Sequence, residues 1–243
     1  MARSKRKNGS GTRLRVGAGV LSAARAVDTR LVKGRLGRFE RAHRAYVAAQ
    51  RKVDAAESRL RTAQTRLAEC DALQDEAVET LARALVADGQ PRGNPFEAFG
   101  APAPGTLTRL VFAEEAEAVH ALVAAVQRSK GVSKATLQAA QTADKAARVV
   151  VQALAAVAKL QDTARDARRT RDAVAQGWES ALAALKRGAR AAADEGAPDL
   201  YPTLFPPVIR PVTKSKTPEE QAPPVTAPSR GLVGVEMAGP ASR

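Results

Sequence analysis

Aromatic residues are scarce in this chain of 243 residues, at only 3% of the composition. Hydrophobic residues reach 44%, but many of them are alanines, each of which buries little area. The large side chains that fill an ordinary globular core are therefore few. Abundant alanine, arginine, leucine and glutamate is instead typical of long helices and coiled coils.

The features of several other protein classes are missing. The single cysteine excludes an intramolecular disulfide, and no run of 18 apolar residues suggests a membrane span. The sequence contains no phosphate-binding loop, dinucleotide fingerprint, zinc-ligand spacing or nucleophile elbow. We therefore predict a non-enzymatic, cytoplasmic protein with no cofactor and no metal. A secretory or transit peptide in the basic first residues is the alternative to the cytoplasm.

Positive charge is concentrated near the start of the chain. The net charge is +14, and residues 1–50 hold 13 lysines and arginines against two acids. We expect residues 1–26 to form a basic flexible arm that contacts nucleic-acid phosphates or another anionic surface. Because no aromatic residue precedes Phe39, such contacts would tolerate any base sequence. The candidate binding residues are Arg3, Lys5, Arg6, Lys7, Arg13, Arg15 and Arg25.

Proline, glycine and apolar periodicity divide the chain into zones. After the arm we predict a long helix at 27–88, a Pro/Gly-rich loop at 89–111, a short helix at 112–130, a second long helix at 132–195 and a Pro-rich disordered tail at 197–243. Gly89 is expected to end the first long helix and Ser133 to cap the second. The fold class is therefore all-α.

Both long helices repeat with a period of seven residues, as a coiled coil requires. In the first helix one seam position holds large residues and the other holds mostly alanine, which leaves room for bulky side chains of a partner helix. The predicted helix–helix seam consists of Phe39, Ala42, Tyr46, Ala49, Val53, Ala56, Leu60, Leu67, Ala153, Val157, Leu160, Val174, Trp178 and Ala181.

The partner helix is predicted to come from the same chain. If the two helices fold back antiparallel, Phe39 faces Ala181 and Trp178 faces Ala42, so that large side chains meet small ones. The sequence therefore predicts a long antiparallel coiled-coil hairpin with a short helix near its loop. Registers shifted by seven residues, and a homo-oligomer formed through the same seam, are the alternatives.

The only two histidines both occur in Glu-x-x-His, as Glu40 with His43 and Glu117 with His120. Paired copies of this motif occur in di-iron helix bundles. In the predicted hairpin the two copies lie near opposite ends, too far apart to share a metal. We therefore expect two surface or flank histidines and no metal site.

The proline-rich tail contains one apolar island, which is a candidate for docking a partner protein. Its residues are Leu200, Tyr201, Leu204, Phe205, Val208 and Ile209. Together these features favour a structural or adaptor protein that binds partners through its coiled coil, its arm or its tail. The alternatives are a sequence-tolerant nucleic-acid-associated protein and a coat protein on an anionic lipid or granule surface.

Overall fold

The computed structural model describes residues 9–207, and this part of the chain is all-α, with no strand. Its α-helices are α1 (Ser10–Ala23), α2 (Lys33–Ala87), α3 (Pro104–Leu107), α4 (Phe112–Arg128), α5 (Lys134–Ala191) and α6 (Leu200–Leu204). Two short 3₁₀ turns lie at Arg30–Val32 and Glu97–Phe99. Within residues 9–207, no helix combines the length and the hydropathy that crossing a membrane would require.

The two longest helices, α2 and α5, pack against each other and have 55 and 58 residues. At 1.5 Å per residue each extends for about 80–90 Å. They run antiparallel, because Tyr46 near the start of α2 contacts Trp178 near the end of α5, with ring centroids 6.2 Å apart. At the other end, the backbone N–H of Ser133 donates to Asp88 Oδ2 at 2.9 Å. We call these the open end and the loop end, respectively.

Local sequence signals set the two helix boundaries at the loop end, as predicted. Gly89 follows α2 with a φ of 94°, which an L-residue with a side chain rarely adopts. Gln90 N–H then donates to Leu85 O at 3.0 Å, so the turn satisfies a free carbonyl of the last helical turn. Ser133 is the N-cap of α5, and its side chain accepts from the backbone N–H of Thr136.

The first long helix begins later than predicted, at Lys33 instead of residue 27. Asp28 Oδ1 accepts a hydrogen bond from the Arg30 backbone N–H at 3.0 Å, which holds the preceding residues in a turn. The helices predicted at 112–130 and 132–195 correspond to α4 and α5, each shorter by a few residues.

The loop predicted at 89–111 contains the second 3₁₀ turn and the short helix α3. Phe96 is fully buried, and Phe99 packs against the same apolar cluster. Both phenylalanines of the loop therefore dock on the end of the helix pair.

The predicted seam residues lie on or near the contact between α2 and α5. Nine of them are buried: Phe39, Tyr46, Ala49, Val53, Ala56, Leu67, Val157, Trp178 and Ala181. The other five are half-buried: Ala42, Leu60, Ala153, Leu160 and Val174.

One contact differs from the expected pairing of large with small residues. The Trp178 ring contacts both Phe39 and Tyr46, at centroid distances of 5.7 and 6.2 Å. These two rings are one heptad apart on α2, and the indole is wide enough to pack between them. Trp178 therefore joins an aromatic cluster rather than packing on alanine alone.

Additional helices pack on both ends of the helix pair and form apolar clusters there. At the loop end, α4 packs against α5, and its Leu122 and Val126 belong to the same apolar cluster as Leu81 and Leu85 of α2. At the open end, α1 and α6 add side chains to a second cluster around Trp178. Between them a smaller cluster consists mainly of α2 and α5 residues, so the middle of the pair has the least apolar burial.

Candidate functional site

The open end of the helix pair is covered by α1, which lies in the segment predicted to be a flexible arm. Gly17 of α1 approaches α2 so closely that a methyl group there would overlap the His43 ring. Val20, one turn further along α1, is 4% exposed and belongs to the same apolar cluster. The residues from Ser10 to Ala23 therefore form a packed helix, and Arg13, Gly17 and Val20 lie on the face that contacts the helix pair.

His43 is buried beneath α1, with only 7% of the residue exposed. Trp178 Nε1–H donates to His43 Nδ1 at 3.2 Å, and the Phe39 ring stacks on the imidazole at 6.1 Å. Burial lowers the pKa of His43 below its ordinary value, so the neutral ring is favoured. The expectation of a surface or flank histidine was wrong for His43, because α1 was not predicted to fold over it.

Arg13 of α1 is held within the open end rather than offered to solvent. Its Nε donates to Glu179 Oε1 at 3.2 Å, and its guanidinium carbon lies 5.8 Å from the centroid of the Tyr46 ring. Only 11% of the side chain is exposed. Arg13, one of the seven candidate cations, therefore links α1 to both long helices. It contacts α5 through Glu179 and α2 through Tyr46.

The other candidate cations that the structure describes are exposed. Arg15 lies on α1 and Arg25 follows it, whereas Arg3, Lys5, Arg6 and Lys7 lie outside the described residues. The first turns of α2 add further exposed cations at the same end of the pair: Lys33, Arg35, Arg38, Arg41 and Arg44. Between Gly9 and Arg44 the only acids are Asp28 and Glu40, so we call the exposed cations of this segment the basic end; the residues after α5 add the exposed acids Asp194, Glu195 and Asp199 at the same end of the pair.

The apolar island of the tail is partly occupied by the protein itself. Leu200 and Leu204 of α6 are 4% and 1% exposed and belong to the cluster at the open end. Tyr201 accepts a 2.8 Å hydrogen bond from Arg190, and Phe205 lies 5.3 Å from the Lys186 ammonium.

This arrangement changes the predicted partner-docking site. Two of its residues, Leu200 and Leu204, are covered by the chain itself and are not free to dock a partner. Val208 and Ile209, the last two residues of that predicted site, lie outside the described residues.

The second histidine, His120, lies at the loop end on α4. Its Nδ1 is 2.7 Å from Asp144 Oδ1 of α5, and Asp144 also pairs with Arg148 at 2.7 Å. The paired Glu-x-x-His motifs thus have separate surroundings at opposite ends of the helix pair. Across residues 9–207 no group of three or more histidine, cysteine, aspartate or glutamate side chains is arranged to hold a metal ion.

A buried acidic group at the loop end was not predicted from the sequence. Glu115, in the first turn of α4, is only 1% exposed and lies beside Gln74, Asp71 and Asp75 of α2. The pKa of Glu115 is raised to about 7, mainly by burial and in addition by the neighbouring Asp75 and Asp71, whereas a hydrogen bond with the Gln74 side chain acts in the opposite direction. The Glu115 carboxyl can therefore gain or lose a proton near neutral pH.

A sequence signal for this group was present. Gln74 interrupts the series of large apolar residues that recurs every seven residues from Phe39. A polar residue on a seam calls for a polar neighbour, since a buried amide without one is costly. The identity of that neighbour depends on where α4 packs, which the heptads do not specify.

Comparisons with protein-family models, with curated proteins and with solved structures give no match for this chain.

Proposed function

We propose that the protein is a non-enzymatic structural or adaptor protein, in which a coiled-coil helical hairpin presents a basic end to a polyanionic partner. The observation that carries this proposal is the folding of α1 onto the open end. It brings exposed Arg15 and Arg25 to the surface that already holds the cations of the first α2 turns. A concentration of one charge sign in one place attracts partners of the opposite sign.

The contacts of Arg13 support a surface of defined shape. Because Arg13 is paired with Glu179 and packed on Tyr46, it orients α1 and is removed from the binding surface. Arg15 is then presented from a fixed helix rather than from a freely moving arm. Less backbone must be ordered when a partner binds, so a given number of contacts yields more affinity.

Nucleic acid is the partner class that we test first, because phosphates are the densest anionic ligands. The exposed aromatic platforms used for stacking bases are scarce, since Phe39, Tyr46 and Trp178 are all buried. Contacts would therefore be made to the backbone and would tolerate any sequence. The alternatives are a coat on an anionic lipid or granule surface and an acidic protein partner.

The proposal is tested by measuring binding of the full chain to random DNA and RNA duplexes across salt concentrations. We expect log affinity to fall linearly with log salt, with a slope of about −0.9 per phosphate contacted. Replacing Arg15 and Arg25 with glutamine should flatten the slope by about 2. Substitution is preferred to deletion, because removing α1 would also expose His43.

The matched control replaces two exposed arginines of mid-α2, Arg59 and Arg61, with glutamine. This variant has the same net charge as the first but keeps the basic end intact, so its slope should stay close to that of the unmodified chain. Equal loss in both variants would show that only total charge matters. Absence of binding at low salt would exclude nucleic acid as the partner. Binding to vesicles of phosphatidylserine in phosphatidylcholine would then test the lipid alternative.

A further inference from the structure

A shallow apolar groove runs along one face of the α2–α5 pair, from the middle of the pair into the loop end. Two adjoining cavities of about 430 and 150 Å³ form it, and Cys70 and Val149 line both. On α2 the groove extends from Ala63 to Thr80, about 26 Å along the helix. Its lining residues belong to α2 and α5 alone, so in the described part of the chain α4 covers a different face.

Large apolar side chains stand exposed on both sides of this groove. Leu73 on α2 is 62% exposed, and Val149 on α5 is 43% exposed. Small side chains, among them Ala77 and Ala146, lie between them. A concave apolar strip with protruding residues at its edges is typical of a surface that binds another helix.

The two edges of the larger cavity carry charges of opposite sign, and Arg66 on α2 lines the smaller cavity. Glu76 is exposed on the α2 edge and Lys145 on the α5 edge. Neither forms an ion pair with any other residue between 9 and 207. A partner that presents the same two charges in exchanged positions would pair with both.

We propose that this groove is the interface of a symmetric homodimer, in which a second copy of the chain covers it. With the two-fold axis parallel to the helices, α2 of each copy lies against α5 of the other. Glu76 of each copy then faces Lys145 of the other, and both pairs form at once. Every neighbouring helix in the resulting four-helix arrangement is antiparallel, which is the common bundle topology.

The position of the axis decides whether these charges meet. A two-fold axis perpendicular to the helices would place α2 against α2 and α5 against α5, so that Glu76 and Lys145 would not face each other. The Glu76–Lys145 pairs therefore form only with the axis parallel to the helices. This inference does not depend on the function proposed above.

Apolar packing completes the fit. Leu73 of each copy enters the strip of small side chains of the other, where Ala77 and Ala146 leave room for it. Val149 is covered at the same time. The middle of the helix pair, which has the least apolar burial within one chain, thus gains a second layer of helices.

The test compares two valines on α5 that differ in position but not in exposure. Val149 is 43% exposed and lines the groove, whereas Val151 is 47% exposed and does not line it. Sedimentation equilibrium of the full chain should give a mass of about 51 kDa, twice the 25.5 kDa of one chain. Val149→Glu should raise the dimer Kd at least about 100-fold, since two carboxylates enter the interface. Val151→Glu should leave the dimer Kd nearly unchanged, and circular dichroism should show both variants fully helical.

Charge exchange tests the orientation. Glu76→Lys and Lys145→Glu should each weaken the dimer, and the double variant should recover most of the affinity because the pairs re-form with reversed signs. A monomeric full chain at 100 μM, roughly the concentration at which a specific dimer is expected to form, would overturn the proposal. So would a dimer that survives Val149→Glu, which would place the interface elsewhere, or a double variant no better than either single one.

Discussion

The indole N–H of Trp178 donates a 3.2 Å hydrogen bond to Nδ1 of His43 across the contact between α5 and α2. The bond requires a neutral imidazole with its proton on Nε2, because a protonated ring has no acceptor. Gly17 of α1 closes over the same imidazole. Packing at the open end therefore requires the His43 side chain to be neutral.

Acid should destabilise the protein through His43. The pKa of His43 in the folded protein lies below the ordinary value of 6.5, so the unfolded chain binds the proton more readily. The stabilisation is fully present above pH 6.5 and is lost as the pH falls through the folded pKa. The melting temperature of the full chain should therefore drop in this range, and His43→Gln should show a smaller drop. A profile for His43→Gln identical to that of the unmodified chain would exclude His43 as the origin.

Base should destabilise the loop end through Glu115. Its pKa is about 7 in the folded protein against an ordinary value of 4.5, so the folded state binds the proton more tightly. Stability should therefore decrease as the pH rises from 4.5 to about 7. We expect Glu115→Gln to gain about 1–3 kcal/mol in the free energy of unfolding at pH 8 and little at pH 5, because the neutral amide needs no proton. Chemical denaturation at the two pH values measures this difference.

The control for that experiment is Glu114→Gln, which changes the exposed neighbour on the same helix turn. Its effect should be within about 0.5 kcal/mol at both pH values, as for most surface substitutions. If Glu115→Gln behaved in the same way, the carboxyl would not be buried among the aspartates of α2.

Adjacent alanines on α2 test the seam. Ala56 is 6% exposed against α5, whereas Ala55 is exposed to solvent. Ala56→Phe should lower the free energy of unfolding by about 1–3 kcal/mol through overpacking, and Ala55→Phe should lower it by much less. Glu57 is unsuitable as the exposed control, since it pairs with Arg168 of α5 at 2.9 Å. Equal tolerance at Ala55 and Ala56 would contradict the packing of this face.

The sequence alone determined the three longest helices, α2, α4 and α5, because their signals are local. A heptad period, an absence of internal proline, the cap at Ser133 and the turn at Gly89 each act within a few residues of chain. The same signals favoured a partner helix with room for bulky side chains. They could not specify the exact neighbours, and Trp178 packs on two aromatic rings in addition to the small residues near it.

The tertiary structure decided everything that depends on which surfaces meet. The charge of the arm predicted flexibility, yet α1 is fixed by Gly17 against His43 and by Arg13 against Glu179, both contacts to residues far along the chain. Docking of α4 likewise placed Glu115 among acids of α2 and moved its pKa towards neutrality. Long-range contacts of this kind depend on the complementarity of shape and charge between packed surfaces. The periodicity of the sequence does not specify them.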